Sequence, residues 1–153
     1  MFSTHHRNGA MKYAPRLGIF KAANVTFDPS RCVGKSYDWW IFVTRTSTGK
    51  VVFNNYTYSP TTTRHQSKMR DLLKSIGVRV DAEIESPDGL QSPESAIALY
   101  GKRIQALHDA IGKKGSRKAK NAERLKAIAM FQKRIGLVKT LFAIEDTKTL
   151  RVA

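Results

Sequence analysis

Alternation and helical spacing divide this chain into a strand-rich first half and a helical second half. Residues 37–46 and 50–59 are rich in aromatic and β-branched side chains and flank Ser47-Thr48-Gly49. That is a hairpin signal, with Gly49 suited to the left-handed position of a three-residue loop. With Thr46 opposite Lys50, period-two alternation places Ile41, Val43, Val51 and Phe53 on one face. Trp40, Phe42, Asn54, Tyr56 and Tyr58 fall on the other. Upstream, Leu17, Ile19, Phe20, Val25 and Phe27 mark a strand over 17–27, closed by a turn at Asp28-Pro29-Ser30. Ser59-Pro60 and Gly77 bracket a helix over 60–76 whose buried stripe is Met69, Leu72, Leu73 and Ile76. Residues 78–85 alternate apolar and charged positions as a half-buried strand does. Ser92-Pro93 repeats the cap-plus-proline start, and Ile97, Tyr100, Ile104, Leu107 and Ile111 follow at helical spacing up to Gly112. A last helix over 116–142 carries Ile128, Phe131, Ile135, Val138 and Phe142 on one stripe, and the short connection 113–115 predicts an antiparallel return.

The expected fold is α+β: a small antiparallel sheet with a packed helix, followed by a C-terminal helical hairpin. Residues 1–15 are expected to be a flexible tail ahead of a single domain over 16–153. Within it the sheet and helix occupy 16–86 and the hairpin 92–146. The N-terminal residues contain no continuous apolar run of the signal-peptide kind, and no stretch is long and apolar enough to span a bilayer.

Charge changes the picture of the last helix. The formal net charge is +15, from 27 Lys and Arg against 12 Asp and Glu. Such a field attracts nucleic acid, anionic membrane or acidic protein. Between residues 113 and 139 ten cations face one acid, Glu123. Projected backwards, the apolar stripe of this helix lands on Lys113, Arg117, Lys120 and Arg124. A face that turns from apolar to cationic has run past the edge of its own core and presents its first turns to an anionic partner. Backbone N–H groups at a helix start add to that attraction. Lys113, Lys114, Arg117, Lys118, Lys120 and Arg124 are therefore the candidate nucleic-acid contacts. Trp40, Phe42, Tyr56 and Tyr58 are candidate secondary contacts, as a platform on which unpaired bases would stack.

Other chemistry is thin. The single cysteine, Cys32, excludes an internal disulfide and suits a reducing cytoplasmic setting. No Cys/His cluster has metal-ligand spacing, and no Gly-rich phosphate loop or Ser/His/Asp pattern is present, so no cofactor, metal or catalytic role is expected. His65 shares the stripe of Met69, Leu72 and Ile76 and is expected in the core. A hairpin followed by a His-bearing helix is similar to the ββα-metal nucleases, which makes a nuclease the remote alternative. No His or Asp lies between Trp39 and Ser59 to complete such a site.

Two local resemblances bear on function. The run GSRKAKNAERLKAIA over 115–129 resembles the second helix of a double-stranded RNA-binding domain, which meets phosphates with closely spaced lysines. Arg117-Lys118-Ala119-Lys120 lacks that family's spacer residue and follows a helix instead of a sheet. Phosphate gripping is the part that carries over. Residues 37–73 resemble small bacteriophage-encoded domains of unassigned activity. The expected function is non-enzymatic binding of RNA or single-stranded DNA, largely independent of sequence. The alternative is a phage-type inhibitor or adaptor that docks on an acidic surface of a host protein.

Overall fold

The computed structural model describes residues 9–145. The described residues divide into two compact units, with the boundary in the sequence between Ser92 and Pro93. Each unit is built from elements contiguous in the chain.

The first unit is a seven-stranded sheet with strands in sequence order: β1 Lys12–Ala14, β2 Ile19–Ala22, β3 Val25–Asp28, β4 Val33–Ser36, β5 Trp40–Arg45, β6 Val51–Asn54 and β7 Ala82–Ile84. The first six form an antiparallel meander, while β7 lies parallel to β6. Helix α1, Pro60–Ser75, makes the crossover between those two, as a parallel pair requires. With its packed helix and the helical hairpin of the second unit, the architecture is α+β.

Several elements differ from their sequence-based outlines. β1 forms from residues assigned to the tail and pairs Tyr13 with Phe20. The strand expected over 17–27 is two strands, because Ala23 takes a positive φ of 44° and turns the chain between Ala22 and Val25. The strand expected over 78–85 is paired only over Ala82–Ile84, although Val78 and Val80 still pack on the core.

The β5–β6 hairpin keeps the anticipated register. Val43 opposes Phe53, Arg45 opposes Val51, and the Thr46 N–H donates to the Lys50 carbonyl at 2.8 Å. Gly49 sits at φ 85°, the left-handed position its loop needs. The alternation of faces does not survive along β5. Against β4, Gly34 opposes Val43 and Lys35 opposes Ile41, which leaves Phe42 as an extra residue. Such a bulge turns neighbouring side chains the same way, and Phe42 and Val43 are both fully buried.

Helix α1 covers this core with Met69, Leu72 and Leu73, while Ile76 becomes an exposed C-cap and not the fourth member of the stripe. Gly34 makes the approach feasible, since a Cβ there would stand 2.9 Å from the Met69 methyl. His65 is buried, and its Nδ1 shares a 2.6 Å hydrogen bond with the Ser36 hydroxyl. Burial first, then Lys68 and Arg64, hold its pKa below the ordinary 6.5. The folded state therefore resists a proton that the unfolded chain accepts. Stability should be full above about pH 6.5 and fall as pH drops from there towards the lowered folded value. Urea midpoints across pH 5–8 check this, and His65→Gln should flatten the profile in that window.

Asn54 is fully buried. Its amide Oδ1 accepts from the Ser86 N–H at 2.9 Å and the Tyr56 N–H at 3.1 Å, and Nδ2 donates to the Ser86 carbonyl at 2.8 Å. Two segments over thirty residues apart are joined by one side chain. Asn54→Ala strands three backbone groups and should destabilise by about 2–4 kcal/mol, readable in urea denaturation.

In the second unit, α2, Glu94–Gly112, and α3, Lys118–Leu141, form the antiparallel hairpin. Helix α2 starts at Glu94 with Pro93 as N-cap and no side-chain cap, so Ser92 does not play the capping role its sequence suggested. The rings of Tyr100 and Phe131 stack at 5.8 Å, and Arg134 lies over both.

Candidate nucleic-acid interface

The connection between α2 and α3 is held from within. Ser116 does not cap α3. Its hydroxyl donates to the Ile111 carbonyl at 3.0 Å and accepts from Asn121 Nδ2 at 3.0 Å. Asn121 Oδ1 in turn accepts from Arg124 at 2.8 Å. The N-cap is Arg117, which supplies no side-chain oxygen to the helix. The first intrahelical bond at this end is Asn121 N–H to the Arg117 carbonyl, so the N–H groups of the first turn point outward without a cap.

Around this helix start Lys113, Lys114, Arg117, Lys118 and Lys120 are all exposed. None of them forms an ion pair with a carboxylate among the described residues. The fold brings these five together because the helix start and the connection before it carry them within eight residues. Arg124 is half-buried, and its Nη1 donates to Asn121 Oδ1, so it also braces the connection.

The first two turns of α3 expose Lys118, Ala119, Lys120, Ala122 and Glu123, and the first buried residue is Ile128. Leu125 is 55% exposed. Met130 and Leu137 are also exposed.

The aromatic platform is a correction. Trp40 and Phe42 are core residues, 3% and 0% exposed. Trp40 stacks on Phe42 at 5.9 Å and meets Tyr58 edge-on at 5.5 Å, while its Nε1 donates to the Pro87 carbonyl at 3.0 Å. Phe42 contacts Phe53 edge-on. Rings enclosed on this scale have no face left for a base. Tyr56 is half-buried against the same core, and only Tyr58, at 52%, stands open.

Sequence reasoning passed over the aromatics that are exposed in this unit, Tyr37 and Trp39 among them. Both were read as strand, but Tyr37, Asp38 and Trp39 form the turn between β4 and β5. The available signal was Asp38, a turn residue between two bulky rings.

No metal site stands beside these residues: no group of three or more His, Cys, Asp or Glu able to hold a metal occurs among the described residues. No helix among them is long and apolar enough to cross a membrane. Comparison with protein-family models, with curated proteins and with solved structures gave no match, so the reading of this chain rests on its own residues.

Proposed function

We propose that this protein binds nucleic acid, RNA or single-stranded DNA, with little sequence preference and without catalysing a reaction. The observation that carries the reading is the set of exposed, acid-free cations Lys113, Lys114, Arg117, Lys118 and Lys120 around an uncapped helix start. Phosphates satisfy both the side chains and the open backbone N–H groups. The low content of acid in α3 gives a uniform field along the helix and no pattern for reading base edges. A cytoplasmic setting accompanies the proposal, on the strength of the single free and buried thiol of Cys32. Titration of a labelled single-stranded oligonucleotide at several salt concentrations tests it: binding should weaken steeply with salt and vary little with sequence. Failure to bind RNA or DNA at low salt would refute it.

A second reading has its own support. Leu125, Met130 and Leu137 are exposed on the same helix as the cations, a mixture that a host protein with an acidic rim and apolar centre would cover. Under this reading the chain is a phage-type inhibitor or adaptor, and a saturable one-to-one complex with a protein replaces nucleic-acid binding. The nuclease alternative gains no support, since His65 is buried against Ser36.

A further inference from the structure

The first unit holds another place where cations gather unanswered. Arg64 and Lys68 stand one turn apart on α1, a like-charge arrangement that weakens an isolated helix. Neither forms an ion pair among the described residues, and Arg64 reaches only the Thr61 hydroxyl, at 3.3 Å. Both line an open groove of about 660 Å³, with Met11, Ser67, Asp71 and Leu72 among its other walls. His65, between them in sequence, packs against the ring of Tyr37 at 5.3 Å. Tyr37 is still 50% exposed.

Tyr37 is held there at a conformational cost. Its φ is 54° and that of Asp38 is 64°, a pair of left-handed residues in a tight turn. Asn and Gly enter that region readily and a bulky aromatic does not. Burial compensates only in part, since the residue as a whole is 50% exposed. Strain of this kind at an exposed side chain points to a role outside the fold's own packing.

We propose that Tyr37 and the Arg64–Lys68 groove form a second contact for single-stranded nucleic acid, with an unpaired base on the Tyr37 ring and the adjoining phosphates on Arg64 and Lys68. The ligand class rests on the nucleic-acid reading of the helical hairpin; the site and its chemistry are independent of it. A duplex keeps its bases stacked inside and offers nothing to an isolated ring, whereas an unpaired base of any identity does. Asp38 beside the ring and Asp71 in the groove temper the local field, so stacking carries more of this contact than charge does. The hairpin, by contrast, works by charge. The two contacts therefore have different signatures.

The test uses the full-length protein and a fluorescein-labelled oligo-dT of about 16 nucleotides, with an abasic strand of the same length as control. Tyr37→Asn removes the ring but suits the turn, so the thermal midpoint should hold or rise. Affinity for oligo-dT should fall roughly 5- to 150-fold, the equivalent of a stack worth about 1–3 kcal/mol. Affinity for the abasic strand and the salt slope should not change. Arg64→Gln with Lys68→Gln should weaken both strands and lower the salt slope by up to about 1.4. If Tyr37→Asn binds oligo-dT as tightly as the wild type while hairpin variants bind weakly, this contact is refuted and the hairpin reading stands. A fall in thermal midpoint with equal losses on both strands makes the ring structural and overturns the proposal. A wild type that binds neither strand overturns both readings.

Discussion

Replacing Lys113, Arg117, Lys118 and Lys120 together by Ala should reduce the log–log dependence of single-strand affinity on salt by about 3. Each phosphate neutralised on a single strand contributes roughly 0.7 to that slope through counterion release. If the electrostatic gain vanishes near 1 M salt, the same four contacts amount to a loss on the order of 100-fold in affinity at 0.15 M. The loss should be similar on every sequence, because phosphates carry no base information. The fold should survive, since all four side chains are exposed and unpaired with any described carboxylate. Thinning a cluster of like charges even favours the compact state. Arg124 is left in place because it braces Asn121, and its removal would mix a structural effect with a binding one. Unchanged affinity and slope in the fourfold variant would move the binding surface elsewhere.

Trp40→Ala should destabilise the first unit by about 3–5 kcal/mol, the usual range for deleting a buried aromatic. The change empties a site enclosed by Phe42 and Tyr58 and strands the Pro87 carbonyl that accepts from the indole. Against a total of about 5–15 kcal/mol for a domain, that is a large share. It corresponds to a fall of more than about 12 °C in the midpoint for a unit of this size. Tyr58→Ala, by contrast, trims a ring that is half in solvent and should cost under about 1 kcal/mol. Urea denaturation of the two variants separates core from surface among the aromatics of this sheet. Equal and small effects would mean that Trp40 is not the packed residue described above.

The contrast between these two rings marks the reach of the sequence. Period-two alternation placed Trp40, Phe42 and Tyr58 on one face, and the β5–β6 register it assumed is the one observed. Alternation, however, describes two sides of a strand and is silent on what covers either. The cover for Trp40 comes from Pro87, forty-seven residues away, and that for Phe42 and Phe53 from the cluster with Met69, Leu72 and Leu73 of α1. Asn54, an amide on the same face, is buried as well, because Ser86 and Tyr56 supply its hydrogen-bond partners.

Local chemistry was enough for the β5–β6 hairpin with its loop at Gly49, the helix behind Ser59-Pro60 and the hairpin of α2 and α3, but not for β1, β4 or the division of 17–27 into two strands. Each of the legible elements depends on residues within a few positions of one another, where capping, turn geometry and helical spacing operate. The exposed cations around the start of α3 were legible for the same reason, since five of them fall within eight consecutive residues, although Lys113 and Arg117 lie outside the helix itself. Tertiary structure alone decided the bulge at Phe42, the bonding of Arg124 to Asn121 and the recruitment of residues 12–14 as β1. It also decided the left-handed turn that holds Tyr37 against His65. Those outcomes depend on which neighbours fill a space or accept a hydrogen bond, and contacts between distant segments set them where local preference, worth a few tenths of a kcal/mol to about 1 kcal/mol per residue, is too weak to prevail.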